Sequence, residues 1–473
     1  MLKRSFTLRA RGGTFLPRQT MTRTRAISMA SFPGQKQNTK LTSWLIGISG
    51  FGALSLGIFY FYWPRHNFPS PVAKKLRQAL WEESEKSDHD YQGALRYYLE
   101  ALQECDNSGV SSISDEYTGV ELKIAEMYER LGMQKEAHNV YIELLYRYYD
   151  ALQDTNSVPN NLRPHLIQKD LRVLIKSIEM NQDVELGKRN LLTHLLMAQE
   201  EVLSRSPELK KFFDRRKQRT LKLFQGKATG VEPIDFQALV NENTIKLDED
   251  SHMILDLAKD SSAWEPFKDE FFTARDLYTA YCLSTKDIAS ALSCKLTTVE
   301  WMVMADMPPG QILLSQANLG SLLYLQAETF ESQIYRLNQK REEEPGLKTD
   351  DNIIKTLRTL HRNRDSCFDM ATKCYDSVIK FSKRNNKLRF NAKDLMDHSA
   401  AHAIALSTYG MGVINLHNGT LPRAERLLKD SISMAQETDF QELYKEANQE
   451  LKKVYLAKET TAKTSKTDEG ATK

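Results

Sequence analysis

Two hydrophobic patterns divide this chain. Residues 41–63 read LTSWLIGISGFGALSLGIFYFYW and carry no charged side chain over 23 positions. A helix of that length, rising about 1.5 Å per residue, reaches roughly 34 Å, enough for a bilayer core of about 30 Å. Trp44 at one end and Tyr60, Tyr62 and Trp63 at the other suit interfacial aromatic belts. From about 70 to 457 the pattern changes. Apolar residues there recur at i, i+3, i+4 and i+7, interrupted by short polar, Pro or Gly stretches. The first pattern predicts one transmembrane helix. The second predicts an all-α body of helical hairpins.

The hairpins repeat. In TGVELKIAEMYERLGMQKEAHNVYIELL (118–145), Ala125 precedes Tyr128 by three places, Gly132 marks a turn, and Ala137 and Tyr141 stand four apart. That is the spacing of a tetratricopeptide-like pair, in which small residues let two backbones approach and large ones fill the groove between them. YQGALRYYLEAL supplies an earlier second helix with Ala94, Tyr98 and Ala101. A degenerate third pair is expected from about 165 to 205, with Gly187 in the alanine place. Near the C-terminus Gly412, Gly419, Ala424 and Leu428 take the crossing, turn and second-helix positions, with Ala371 and Tyr375 in the helix before them. The amphipathic stretch 438–456 reads as the polar-faced helix that closes a solenoid.

The expected organisation is a presequence and matrix segment at 1–40, the span at 41–63, and N-terminal repeats at 70–213. A linker at 214–260, a C-terminal helical region at 261–457 and a disordered tail at 458–473 complete it. A short hairpin around 245–257 and a charged loop from Arg336 to Asp351 are expected within this frame.

Charge changes the picture at the N-terminus. Residues 1–40 hold nine Lys or Arg and no Asp or Glu, the composition of a mitochondrial presequence. The whole chain carries +3, so the remainder carries −6. An acidic body is poor material for neutralising phosphates, and no nucleic-acid partner is expected. Nine basic residues before the span face four after it (Arg65, Lys74, Lys75 and Arg77, ahead of Glu82). That bias places the N-terminus in the matrix and the body in the intermembrane space of a single-pass inner-membrane protein. Ser49, Ala53 and Gly57 stand four apart on one face of the span, the arrangement that lets a second helix pack closely in lipid.

Candidate chemistry is sparse. The chain has no Walker loop, GxSxG or HExxH, and no catalytic, cofactor-binding or metal-ligating set is assigned. His398 and His402 stand at i, i+4, but Ser399 takes the place of the usual glutamate and no third ligand is evident. STKDIASALSCKLTTVEWMVM (284–304) is shaped like a helix-turn-helix, yet its would-be reading helix carries Lys295 and Glu300 and no Arg, so a packing element is expected. The aromatics of 263–284 follow core spacing, with a client-peptide groove as the alternative. The five cysteines form no CxxC, and buried free thiols are expected rather than a disulfide or metal pair.

Four blocks are more specific than generic repeat sequence: LKIAEMYERLGM (122–133), RVLIKSIEMNQD (172–183), 261–295 and 299–328. They resemble the tetratricopeptide-type adaptor subunits of the fungal mitochondrial i-AAA protease supercomplex. The resemblance implies a non-enzymatic inner-membrane adaptor facing the intermembrane space. Its implied partners are protease subunits, a second adaptor subunit, unfolded membrane-protein clients and inner-membrane lipid. An import or assembly scaffold of the same architecture is the competing role.

Overall fold

The computed structural model describes residues 67–154, 158–180, 183–214, 246–247, 253–254, 260–344, 350–384 and 397–470. The presequence and the 41–63 span with Ser49, Ala53 and Gly57 lie outside the described residues. Among those described, no helix is long and apolar enough to cross a membrane. The described architecture is helical, with one two-residue antiparallel pair, β1 (Lys246–Leu247) and β2 (Met253–Ile254), inside the segment where a hairpin was expected.

The chain divides into two compact units, 1–140 and 141–473. The first contains α1 (Ser70–Glu83), α2 (Tyr91–Asn107), α3 (Asp115–Arg130) and the opening turn of α4 (Gln134–Gln153). Local chemistry sets the helix starts. Asp90 accepts the Gly93 N–H at 2.9 Å and Ser114 accepts the Tyr117 N–H at 3.3 Å, satisfying donors that a helix start leaves open. Val72, Ala79, Ala94, Tyr98, Ala101, Ile124 and Met127 form its core, with Tyr128 and Val140 packed against it. Glu83 ties three helices together: it accepts from the Tyr98 hydroxyl at 2.6 Å and from Lys123 at 2.9 Å.

The second unit continues with α5 (Arg163–Met180), α6 (Val184–Arg205), α7 (Lys268–Ser284) and α8 (Ile288–Met304). It ends with α9 (Pro309–Glu343), α10 (Asp351–Arg384), α11 (His398–His417), α12 (Leu421–Glu437) and α13 (Gln441–Gly470). Neighbours pack as hairpins: α7 on α8, α9 on α10, α11 on α12, and α12 on α13. Tyr375 of α10 is 2 % exposed, and its hydroxyl lies 3.0 Å from Ser321 of α9. Gly320 makes the room: a Cβ there would meet the Tyr375 ring at 2.7 Å.

Three boundaries differ from the expected ones. Helix α9 runs to Glu343, so the charged stretch from Arg336 is helical where a loop was expected. Lys, Arg and Glu are good helix formers, and their charge does not end a helix. Helix α13 continues to Gly470, through much of the expected tail. The segment 214–260 does not separate two bodies, because α5 and α6 pack on α7 from across it. Lys188 to Asp287 at 2.7 Å, Arg172 to Glu270 at 2.6 Å and Arg205 to the Ala263 carbonyl at 3.1 Å fasten that join.

Candidate functional site

The repeat positions are buried or half-buried on helices, or lie just past helix ends. Ala94, Ala101, Ala125, Ala137 and Ala424 are fully buried, and Tyr98 and Tyr141 are buried. Tyr128 is half-buried against the core of the first unit. Gly132 and Gly419 adopt φ of 75° and 72° just past the ends of α3 and α11, a left-handed conformation that glycine accepts without strain. A Cβ on Gly412 would lie 2.9 Å from Leu428 Cγ, so α11 and α12 cross closely there. Gly187 marks a similar approach of α6 to α7, against Tyr281.

The sequence decoys resolve into packing. Lys295, on the would-be DNA-reading helix, is 3 % exposed and bonds Asp276 at 2.6 Å, so its charge is taken up within the fold. His402 stacks on Phe440 at 4.4 Å and its Nε2 lies 3.3 Å from the Thr438 carbonyl oxygen. Burial, then the neighbouring His398, lowers its pKa. All five cysteines are free; Cys105, Cys282, Cys367 and Cys374 are buried, and burial alone raises the Cys374 thiol to about 12. Most aromatics of 263–284 supply core, and Tyr278 lines a groove described below. Trp264, Phe267 and Phe271 are fully buried, and Trp301 is enclosed by Trp264 at 5.7 Å, Phe271 at 5.5 Å and Phe213 at 4.8 Å.

This aromatic cluster carries an unusual cation. Arg275 of α7 is 6 % exposed, and its guanidinium lies 5.6 Å from the ring centres of both Phe271 and Trp301. Its Nε donates to the Thr298 hydroxyl at 2.8 Å, and its Nη2 donates to the Cys294 carbonyl at 3.0 Å and to the Thr297 hydroxyl. All three acceptors are neutral. Among the described residues no carboxylate pairs with it, whereas the equally buried Lys295 has Asp276. Buried charges are ordinarily paired, so this exception makes Arg275 a candidate for a functional site.

Above Arg275 a groove of about 220 Å³ opens between α6 and α8. Leu192, Leu195, Leu196 and Gln199 of α6 form one wall. Ser290, Ser293, Cys294 and Thr297 of α8 form the other, with Arg275 and Tyr278 of α7 as the floor. Leu192 and Leu196 are 40 % and 55 % exposed, so the wall is apolar and open to solvent. The sequence reading passed over this site. Its signal was Arg275 on the apolar face of α7, four places after Phe271 and three before Tyr278.

Comparison with known proteins places this region. A family model described as the MGR3 middle domain matches residues 155–307, which include α5 to α8 and the groove. The MGR3 subunit of the mitochondrial inner membrane i-AAA protease supercomplex of Saccharomyces cerevisiae is 54 % identical over 431 residues, covering 90 % of this chain and 84 % of that protein. The "Protein MRG3-like" of the same yeast is 38 % identical over 426 residues, covering 89 % of each. A TPR repeat-containing protein of Schizosaccharomyces pombe is 28 % identical over 144 residues, covering 29 % of this chain and 36 % of that protein. With more than half of the aligned residues identical along most of both chains, this chain belongs to the family of the MGR3 subunit of the i-AAA protease supercomplex.

Proposed function

We propose that this chain is a non-catalytic, membrane-anchored adaptor of the mitochondrial inner-membrane i-AAA protease supercomplex. It binds unfolded membrane proteins and presents them to the protease, beside a second adaptor subunit. The observation that carries this reading is the identity of more than half to a named subunit of that supercomplex. The physical arguments agree with it. Stacked helical hairpins present long surfaces that bind extended segments without catalysis, and an anchor confines them near membrane substrates. The uncharged 41–63 stretch, preceded by nine basic residues and followed by four, fits a single pass with the body in the intermembrane space. The acid-free first 40 residues fit a presequence.

Affinity purification of the full chain in mild detergent tests the role. Recovery of protease subunits and of a destabilised membrane client supports the adaptor. Recovery of translocase or respiratory-complex subunits without the protease overturns it in favour of an import or assembly scaffold. Protease added to mitoplasts should digest the body while the inner membrane is intact; protection until lysis would reverse the topology.

A further inference from the structure

We propose that the groove between α6 and α8 docks a helical segment of a partner protein, one that presents a carboxylate and an apolar side chain one helical turn apart. The carboxylate would pair with Arg275 and the apolar group would pack against Leu192 and Leu196. This deepens the adaptor reading and rests on it for the existence of a partner chain.

Charge complementarity is the first argument. Arg275 is nine-tenths buried and holds neutral acceptors alone, through Nε and Nη2. Its Nη1 makes no hydrogen bond among the described residues, and the side chain lines the groove. Among the described residues no Asp or Glu lines that groove. A guanidinium is a planar fork suited to a carboxylate, and such a pair is strong where water is thin. The cation is thus pre-organised by Thr297, Thr298 and the faces of Phe271 and Trp301, with no carboxylate beside it among the described residues.

Size and shape choose the kind of occupant. At about 220 Å³ the groove is smaller than the roughly 300–1,000 Å³ of ordinary small-molecule pockets. It accommodates a few side chains of a longer segment. Its walls run at helical spacing: Leu192 and Leu196 are four apart on α6, and Ser290, Cys294 and Thr297 follow at four and three on α8. Small side chains on one wall let a partner backbone approach, and leucines on the other give it apolar surface. An apolar anchor beside a desolvated charge pair is the composition of an interface hot spot.

The full chain in lipid nanodiscs would be panned against two display libraries of 16-residue peptides, one fixed as Leu-x-x-x-Glu and the other as Leu-x-x-x-Gln. We expect the Glu library to enrich at least tenfold over the Gln library. Selected peptides should slow maleimide alkylation of Cys294, which is half-buried in the groove wall while the other four thiols are buried. Leu196→Glu should weaken them at least tenfold by placing a competing carboxylate beside Arg275; because Leu196 is more than half exposed, the fold tolerates it. Equal enrichment of the two libraries, unchanged Cys294 alkylation, or unchanged affinity in Leu196→Glu would overturn the proposal. Each can occur while the chain still co-purifies with protease subunits, so the groove and the adaptor reading fail separately.

Discussion

Tyr281 of α7 closes over Gly187 of α6: a Cβ on Gly187 would come within 2.7 Å of ring carbon Cε1. The ring is held in place, since its hydroxyl donates to the Ile178 carbonyl of α5 at 3.2 Å. One tyrosine of α7 thereby registers that helix on α5 and α6, which lie on the other side of the 214–260 segment in sequence. Gly187→Ala puts two effects in opposition. Alanine gains roughly 0.5–1 kcal/mol in a helix interior, whereas overpacking costs about 1–3 kcal/mol. We expect overpacking to win, with a net loss of about 1–2 kcal/mol and a lower melting temperature for the purified full chain. Adding Tyr281→Leu should recover part of the loss. A higher melting temperature for Gly187→Ala alone would show that the ring yields.

The turn glycines test backbone conformation without crowding. Nothing lies within 4 Å of a Cβ added to Gly132 or Gly419, yet both have positive φ. Alanine at either should therefore cost about 1–2 kcal/mol through left-handed strain alone, and asparagine less. Ala125→Trp is the complementary case: the site is fully buried and the cost is overpacking. Chemical denaturation of each variant would check the order, and an unchanged midpoint for Ala125→Trp would count against a close crossing at α3.

These contrasts show which parts of the fold are legible in sequence. The positive-φ turns at Gly132 and Gly419 and the small buried side chains of Ala125 and Ala424 rest on local chemistry, which sequence spacing can carry. Gly320 does not, because its role is to accommodate Tyr375 from a helix more than fifty residues away. The C-terminal end of α9 is hidden for a different reason. α9 runs to 35 residues, and its charged end keeps helical propensity while losing apolar periodicity. Arg275 was hidden by composition: an arginine between aromatics reads as a solvated tip unless its place on the apolar face is weighed.

Acid should loosen the join between α6 and the α7–α8 turn. Asp287 caps α8 by accepting the Ser290 N–H at 3.1 Å and pairs with Lys188 at 2.7 Å. Lys188 first, then Ser290, hold its carboxyl at about 2, below the ordinary value of about 3.9. A depressed pKa contributes stability that is fully present above about pH 4 and is lost as pH falls toward 2. The pair is partly exposed, so solvent screens it and the cap is the larger share. Asp287→Ala should cost about 0.5–2 kcal/mol at pH 7, as loss of a helix cap does. The difference from wild type should shrink between pH 4 and 2 in acid titrations followed by circular dichroism. A difference that stays constant to pH 2 would exclude the carboxylate as its source.

The last prediction concerns the span as a contact. Ser49, Ala53 and Gly57 recur every four residues, so as a helix they line one face. Lipid tails are as apolar as leucine, so two spans gain nothing from hydrophobic burial and associate through close packing, which small residues permit. On the adaptor reading, this face seats the transmembrane helix of a protease or adaptor partner. Ala53→Leu and Gly57→Leu should then reduce recovery of the partner in mild detergent while leaving insertion unchanged, as alkaline extraction would verify. Gly52 falls off the stripe, so Gly52→Leu serves as the matched control and should leave recovery intact. Exchanging the whole span for an unrelated apolar helix with no loss of partner would sink the contact. The helices of the body would then have to hold the assembly together.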